Sequence, residues 1–231
     1  MRCLTCARSG AFPLVEDAAE SLGATYKGRQ TAGFGLVSAL SFNGNKIITS
    51  AGGGMVMTDD AALARRGRHL TTQAKSDSLY YVHDEIGFNY RMSNIHAAIG
   101  LAQLERLPRH IERKREVAAR YMSEPDGLND ITVFAERGWA RSNYWLNTIF
   151  VPESQRDSLL QHLNERNIMA RPIWELNNRQ TMYSDCPAGP VPNASAIQAS
   201  ALNLPSSVDI TDDEIDFICS TIRAWRRSGG A

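Results

Sequence analysis

Two short apolar runs constrain this chain more than any other feature, because each stops within a few residues of a reactive side chain. Residues 12–15 (Phe-Pro-Leu-Val) lead into Glu16-Asp17-Ala18-Ala19-Glu20, and residues 38–42 (Ser-Ala-Leu-Ser-Phe) lead into Asn43-Gly44-Asn45-Lys46. Runs this short, bounded by turn formers, read as buried strands of a parallel sheet. A similar run at 55–58 follows Gly52-Gly53-Gly54, a triplet that permits close backbone approach or a flexible turn.

Helical patterning alternates with these runs. Asp59 or Asp60 is positioned to cap a helix from Ala61 to about Thr71. Ser93 opens the longest helix, with Ile95, Ala98, Ile99, Ala102 and Leu104 as its apolar stripe. Pro108 is expected to interrupt it before a second, charged helix that runs through Tyr121. Residues 73–85 lack periodicity and read as a loop that reaches a partner or substrate. Strand-like patterns at 144–151 and 168–173 flank a helix at 154–166. Thr211-Asp-Asp-Glu214 forms a capping box for a last helix that turns Ile215, Ile218 and Ile222 inward. Alternating strands and helices predict α/β architecture. The Pro125-Asp-Gly127 break divides residues 1–124 from a smaller domain at 125–231.

Lysines and arginines together number 25, as do aspartates and glutamates, so the net charge is zero. That balance gives no electrostatic case for nucleic acid or an anionic membrane surface. No apolar stretch approaches transmembrane length and no signal-peptide pattern opens the chain, which predicts a cytoplasmic location. Of Cys3, Cys6, Cys186 and Cys219, the first two form a CxxC without a second pair or a nearby histidine pair. No metal site is expected from that ligand count; reduced cysteines on a partly buried helix are the preferred reading.

Lys46 is one of only four lysines. An amine and an acid, each after a strand, are what a pyridoxal 5′-phosphate site needs: Lys46 for the Schiff base and for proton transfer, Asp17 for the pyridinium nitrogen. A solvated turn lysine and a helix N-cap aspartate are the structural alternatives for these two positions. Glu20 falls near the same face as Asp17, either to contact the cofactor ring or as a structural carboxylate.

The longer motifs sharpen this. Val15-Glu-Asp-Ala-Ala-Glu-Ser-Leu-Gly23, Ser41-Phe-Asn-Gly-Asn-Lys-Ile-Ile-Thr49, His69-Leu-Thr-Thr72, Val82-His-Asp-Glu-Ile-Gly-Phe-Asn-Tyr-Arg-Met92, Ser142-Asn-Tyr-Trp-Leu-Asn147 and Ala170-Arg-Pro-Ile-Trp174 occur in this order. From about residue 12 onward the chain resembles the DegT/DnrJ/EryC1/StrS sugar aminotransferases. Within them it is similar to the LegC-type branch, which acts on nucleotide-linked 4-keto-6-deoxy-N-acetylhexosamines. The resemblance implies a fold-type I pyridoxal-phosphate enzyme, with a partial large domain built on a mixed, mostly parallel sheet and a small α+β domain. It implies amino transfer from glutamate to C4 of a UDP-linked sugar, or of a GDP-linked one, for surface glycan synthesis. It also implies a homodimer. Ser41 matches the phosphate-binding serine, and Asn89 the asparagine that reaches the phosphate from the neighbouring subunit. His83 and Arg91, with Arg171 and Asn178 of the small domain, are candidate substrate residues; a loop hydrogen bond is the alternative for His83. Lys46 argues against the dehydratase variant of the fold, in which histidine replaces it. Relatives carry a long region before the Glu-Asp-Ala-Ala segment. A second expectation is therefore a non-catalytic fragment that needs an upstream chain.

Overall fold

The computed structural model describes residues 5, 9–10, 12–77, 79–123 and 130–229. Cys3, Cys6, the Pro125-Asp-Gly127 break and the expected boundary at 124/125 lie outside the described residues. The chain separates into two compact units, Met1–Ile111 with Arg137–Trp145, and Glu112–Glu136 with Leu146–Ala231. Its strands are β1 (Val15–Asp17), β2 (Thr25–Tyr26), β3 (Arg29–Gln30), β4 (Val37–Ser41), β5 (Gly54–Met57) and β6 (Lys75–Asp77). There follow β7 (Val82–His83), β8 (Thr132–Val133), β9 (Ala140–Arg141), β10 (Asn147–Phe150), β11 (Arg171–Pro172) and β12 (Ala201–Leu204). The described α-helices are α1 (Ala61–Thr71), α2 (Asn94–Ser123), α3 (Glu153–Asn164), α4 (Pro192–Ser200) and α5 (Asp212–Arg227).

In the first unit β1 runs parallel to β4, with Asp17 opposite Ala39, and β5 returns antiparallel with Gly54 opposite Ser41. The glycine at 54 is required there: a Cβ would sit 2.3 Å from the Leu40 carbonyl oxygen. A small core of Ala18, Ala32, Leu40, Phe42 and Ile48 lies beneath. β1 is a strand, but not the buried one its apolar run predicts. Val15 is 68% exposed and Asp17 is exposed, because no described residue covers that side of the sheet. Its neighbour Glu16 does the structural work instead. Its carboxylate accepts from the backbone N–H groups of Ala32 (2.6 Å), Phe34 (2.8 Å) and Gly35 (3.3 Å), and from the Ser38 hydroxyl (3.3 Å).

Three further expectations are corrected. Residues 73–85 are not a loop: they contain the β6–β7 hairpin, anchored by Ala74, which is fully buried. Pro108 does not end the long helix. α2 runs unbroken through it, and beyond the proline Val117, Ala118 and Tyr121 anchor the helix by burial. The stripe of Ile95, Ile99 and Leu104 does not face the core. Gly100, Leu107 and Ile111 do, with Gly100 against Ser50 and the last two against Gly23. The helix carries two apolar stripes, and periodicity alone does not rank them.

The second unit is an antiparallel sheet in the order β11-β12-β10-β8, flanked by α3 and α5. Its core includes Ile149, Leu159, Leu163, Leu202, Ile215, Ile218 and Ile222. The capping box of α5 forms as predicted: Glu214 N–H donates to the Thr211 hydroxyl (3.2 Å) and Thr211 N–H to the Glu214 carboxylate (2.8 Å). Cys219 is buried in α5 and Cys186 is exposed.

Candidate active site

Because β1 and β4 are parallel, their carboxyl ends fall on one edge of the sheet, where open α/β sheets bind ligands. Asp17 is the last residue of β1 and Ser41 the last of β4. The Asp17 carboxylate accepts from Ala19 N–H (3.0 Å), a local turn bond that stiffens the exit from the strand. Ser41 Oγ accepts from Asn43 N–H (3.3 Å).

The turn that carries Lys46 is fastened at both ends. Phe42 is buried before it, Ile47 and Ile48 after it, and Lys46 N–H donates to the Asn43 carbonyl (3.1 Å). The Lys46 side chain is only 13% exposed. Its amine lies 3.1 Å from Glu20 Oε1 and 4.0 Å from the centroid of the Trp145 ring. Glu20 thus stands beside the lysine.

The contact with Trp145 was not assigned from the sequence, although the Ser142-Asn-Tyr-Trp motif was visible. Trp145 is buried and donates through Nε1 to the Asn45 carbonyl (2.5 Å). Asn143, also buried, donates to the carbonyls of Glu20 (3.0 Å) and Leu22 (3.1 Å) and accepts from Trp145 N–H (3.0 Å).

The remaining candidates lie apart from this cluster or in the other unit. Asn89 is exposed, bridged to Thr72, between Phe88 and Tyr90, whose rings stack at 4.9 Å. His83 is exposed and its Nδ1 lies 2.6 Å from the Gln73 carbonyl, a loop contact; Arg91 is exposed. In the second unit Arg171 is exposed on β11, and Asn178 borders an open 450 Å³ depression with Tyr183 and Val191.

The residue set fits pyridoxal 5′-phosphate on its donor chemistry: a shielded amine on the turn after β4, with a solvent-facing carboxylate and a hydroxyl at the ends of β1 and β4. The sequence model of the DegT/DnrJ/EryC1/StrS aminotransferases matches residues 3–223. The chain belongs to that family. DegT/DnrJ/EryC1/StrS proteins are pyridoxal-phosphate-dependent sugar aminotransferases of fold-type I. Among curated relatives, EpsN of Bacillus subtilis is 40% identical over 209 residues, 87% of this chain and 53% of EpsN. GDP-perosamine synthase of Escherichia coli O157:H7 is 38% identical over 220 residues, 95% of this chain and 60% of the synthase. Of the solved structures, the aminotransferase TlmJ of Streptoalloteichus hindustanus matches with TM-score 0.92 at 25% identity, over 99% of this chain and 62% of TlmJ. The chain therefore spans little more than half the length of the curated relatives it matches. No helix among the described residues is long and apolar enough to cross a membrane.

Proposed function

We propose that this chain carries the cofactor-binding half of an aminotransferase that moves an amino group from glutamate to C4 of a nucleotide-linked 4-keto-6-deoxy sugar. The observation that carries the reading is the shielded Lys46 amine beside Glu20, on the sheet edge where Asp17 and Ser41 end their strands. When bound, pyridoxal 5′-phosphate supplies an aldehyde for amines and a ring that accepts electron density from the neighbouring carbon. Lys46 Nζ is the covalent anchor and, once released, the group that takes up and returns the proton at the reacting carbon. The Asp17 carboxylate keeps a proton on the ring nitrogen. Ser41 Oγ donates to the phosphate. Glu20 Oε1 accepts from Lys46 Nζ at 3.1 Å and orients it.

Asn89 is assigned to the phosphate of a second copy's site, within a homodimer. The uncovered apolar strip around it, including Ile86, Phe88, Tyr90, Ile95 and Ile99, supports that reading. His83, Arg91, Arg171 and Asn178 are assigned to the nucleotide and sugar of the substrate. The likeness to GDP-perosamine synthase favours a GDP-linked acceptor. The UDP-linked N-acetylhexosamine of the LegC-type branch is the second acceptor to assay.

A second reading is that the chain stays silent until another polypeptide covers the β1–β5 face, and the exposure of Val15, Met55, Val56 and Met57 favours it. One experiment separates the two. The protein is incubated with pyridoxal 5′-phosphate, reduced with borohydride and mapped by peptide mass, then assayed with glutamate and each keto sugar. Label confined to Lys46 with amine transfer supports the enzyme. Label at Lys46 without transfer supports the silent form, and label spread over Lys27, Lys75 and Lys114 overturns the assignment of Lys46.

A further inference from the structure

The Asn143-Tyr144-Trp145 segment meets the Lys46 turn through Trp145. Trp145 lays its ring 4.0 Å from the amine and fixes the Asn45 carbonyl, one residue before the lysine. Asn143 ties Trp145 to the backbone of Glu20 and Leu22. Tyr144, between them, is buried with φ of 44°, a left-handed conformation that a bulky side chain adopts only at an energetic cost. Backbone strain next to a buried residue that touches a shielded amine is the pattern of a functional constraint.

We propose that Trp145, held by Asn143 and the left-handed Tyr144, is a positioning residue that sets the Lys46 amine before any cofactor arrives. This rests on the reading of Lys46 as the cofactor anchor. The indole face attracts the ammonium, as an aromatic face does when the cation is partly desolvated. The indole N–H holds the Asn45 carbonyl and so limits rotation of the turn. Glu20 defines the second side. An amine confined on two sides, on a turn that is itself held, enters the reaction with less orientational freedom left to lose.

The test has two arms. In the first, lysines are reductively methylated with ¹³C-formaldehyde and the Lys46 resonance is assigned by its loss in Lys46→Arg. Ring current from Trp145 should move that resonance upfield; Trp145→Leu should return it to the position of exposed lysines, and the exposed Trp139→Leu should not. In the second arm, the rate of pyridoxal 5′-phosphate capture is followed by absorbance. Trp145→Leu should slow capture about tenfold, and Trp145→Phe, which keeps the aromatic face, should recover most of the loss. Circular dichroism establishes that each variant is folded; if Trp145→Leu is not, the Phe variant and Asn143→Ala carry the same comparison. Unchanged capture by folded Trp145→Leu, or an unshifted Lys46 resonance in the wild type, overturns the proposal. Absence of capture at Lys46 in the wild type would instead overturn the anchor assignment, while the resonance arm still reads the Trp145 contact.

Discussion

At the residue scale, Glu16 and Asp17 show how adjacent carboxylates take opposite tasks. Glu16 collects three backbone donors and a hydroxyl from residues 32–38, whereas Asp17 faces solvent. Glu16→Ala would leave those donors without their acceptor and should lower stability by about 2 kcal/mol, read from urea midpoints. Lys114 provides a second test. It is buried, donates to the Ser206 carbonyl, and burial pushes its pKa down from 10.5 to about 8. Between these values the unfolded chain binds more protons than the folded one, so stability should rise with pH from about 8 to 10. Burial raises the Tyr121 phenol, so the unfolded chain loses that proton first and stability turns downward above about pH 10. Urea titrations across this range should show the rise in the wild type and a flat profile in Lys114→Met. None of these roles was legible in the sequence. Both Glu16 and Lys114 are satisfied by backbone far along the chain, and composition carries no record of that.

At the element scale, what was readable was what is decided locally. Asp60 caps α1 by accepting from Ala62 and Leu63 N–H (2.7 and 3.0 Å), and Thr211 with Glu214 caps α5. Both follow from side chains within three residues of the groups they serve. Thr211→Ala should cost about 1 kcal/mol, seen as a lower thermal midpoint with the fold retained. The misreadings concern decisions made elsewhere in the molecule. Pro108 removes the donor that would meet the Leu104 carbonyl, a real local penalty. The helix absorbs it because residues 117–121 are anchored in a core. In α2 the outward stripe is more apolar than the inward one, since Gly100 gives close approach in place of bulk. The 73–85 hairpin escaped notice because Gln73 and Ala74, which enter it, and Tyr81, in its turn, take positive φ, residue types that do not announce a turn.

At the scale of the whole molecule, exposed apolar surface is concentrated in the first unit. Leu79, Tyr80, Tyr81, Val82, Ile86, Phe88, Tyr90, Ile95 and Ile99 are all uncovered, while the second unit closes over a core of its own. Contiguous apolar surface of that kind marks an interaction site. If the proposed homodimer forms on this strip, Ile95→Glu with Ile99→Glu should lower the sedimenting mass to that of a monomer at the same concentration. An unchanged mass would show that this strip is not where copies meet. The α/β class and the family were legible because Asp17, Ser41 and Lys46 sit in long, ordered motifs. The support behind Lys46 was not, since Asn143 and Trp145 lie about a hundred residues along the chain, and only folding brings them beside it.

The alternation along β1 gives its sequence a parity. Even-numbered Glu16 turns toward the body of the unit, and odd-numbered Val15 and Asp17 turn away from it. A series of substitutions along this strand should therefore sort by position rather than by chemical severity. Changes at the even site should register in how much folded protein is recovered, and changes at the odd sites in what the folded protein binds. Deleting one residue upstream would exchange the two sets, placing an aspartate where the glutamate anchors the loop and removing the carboxylate from the sheet edge in a single step.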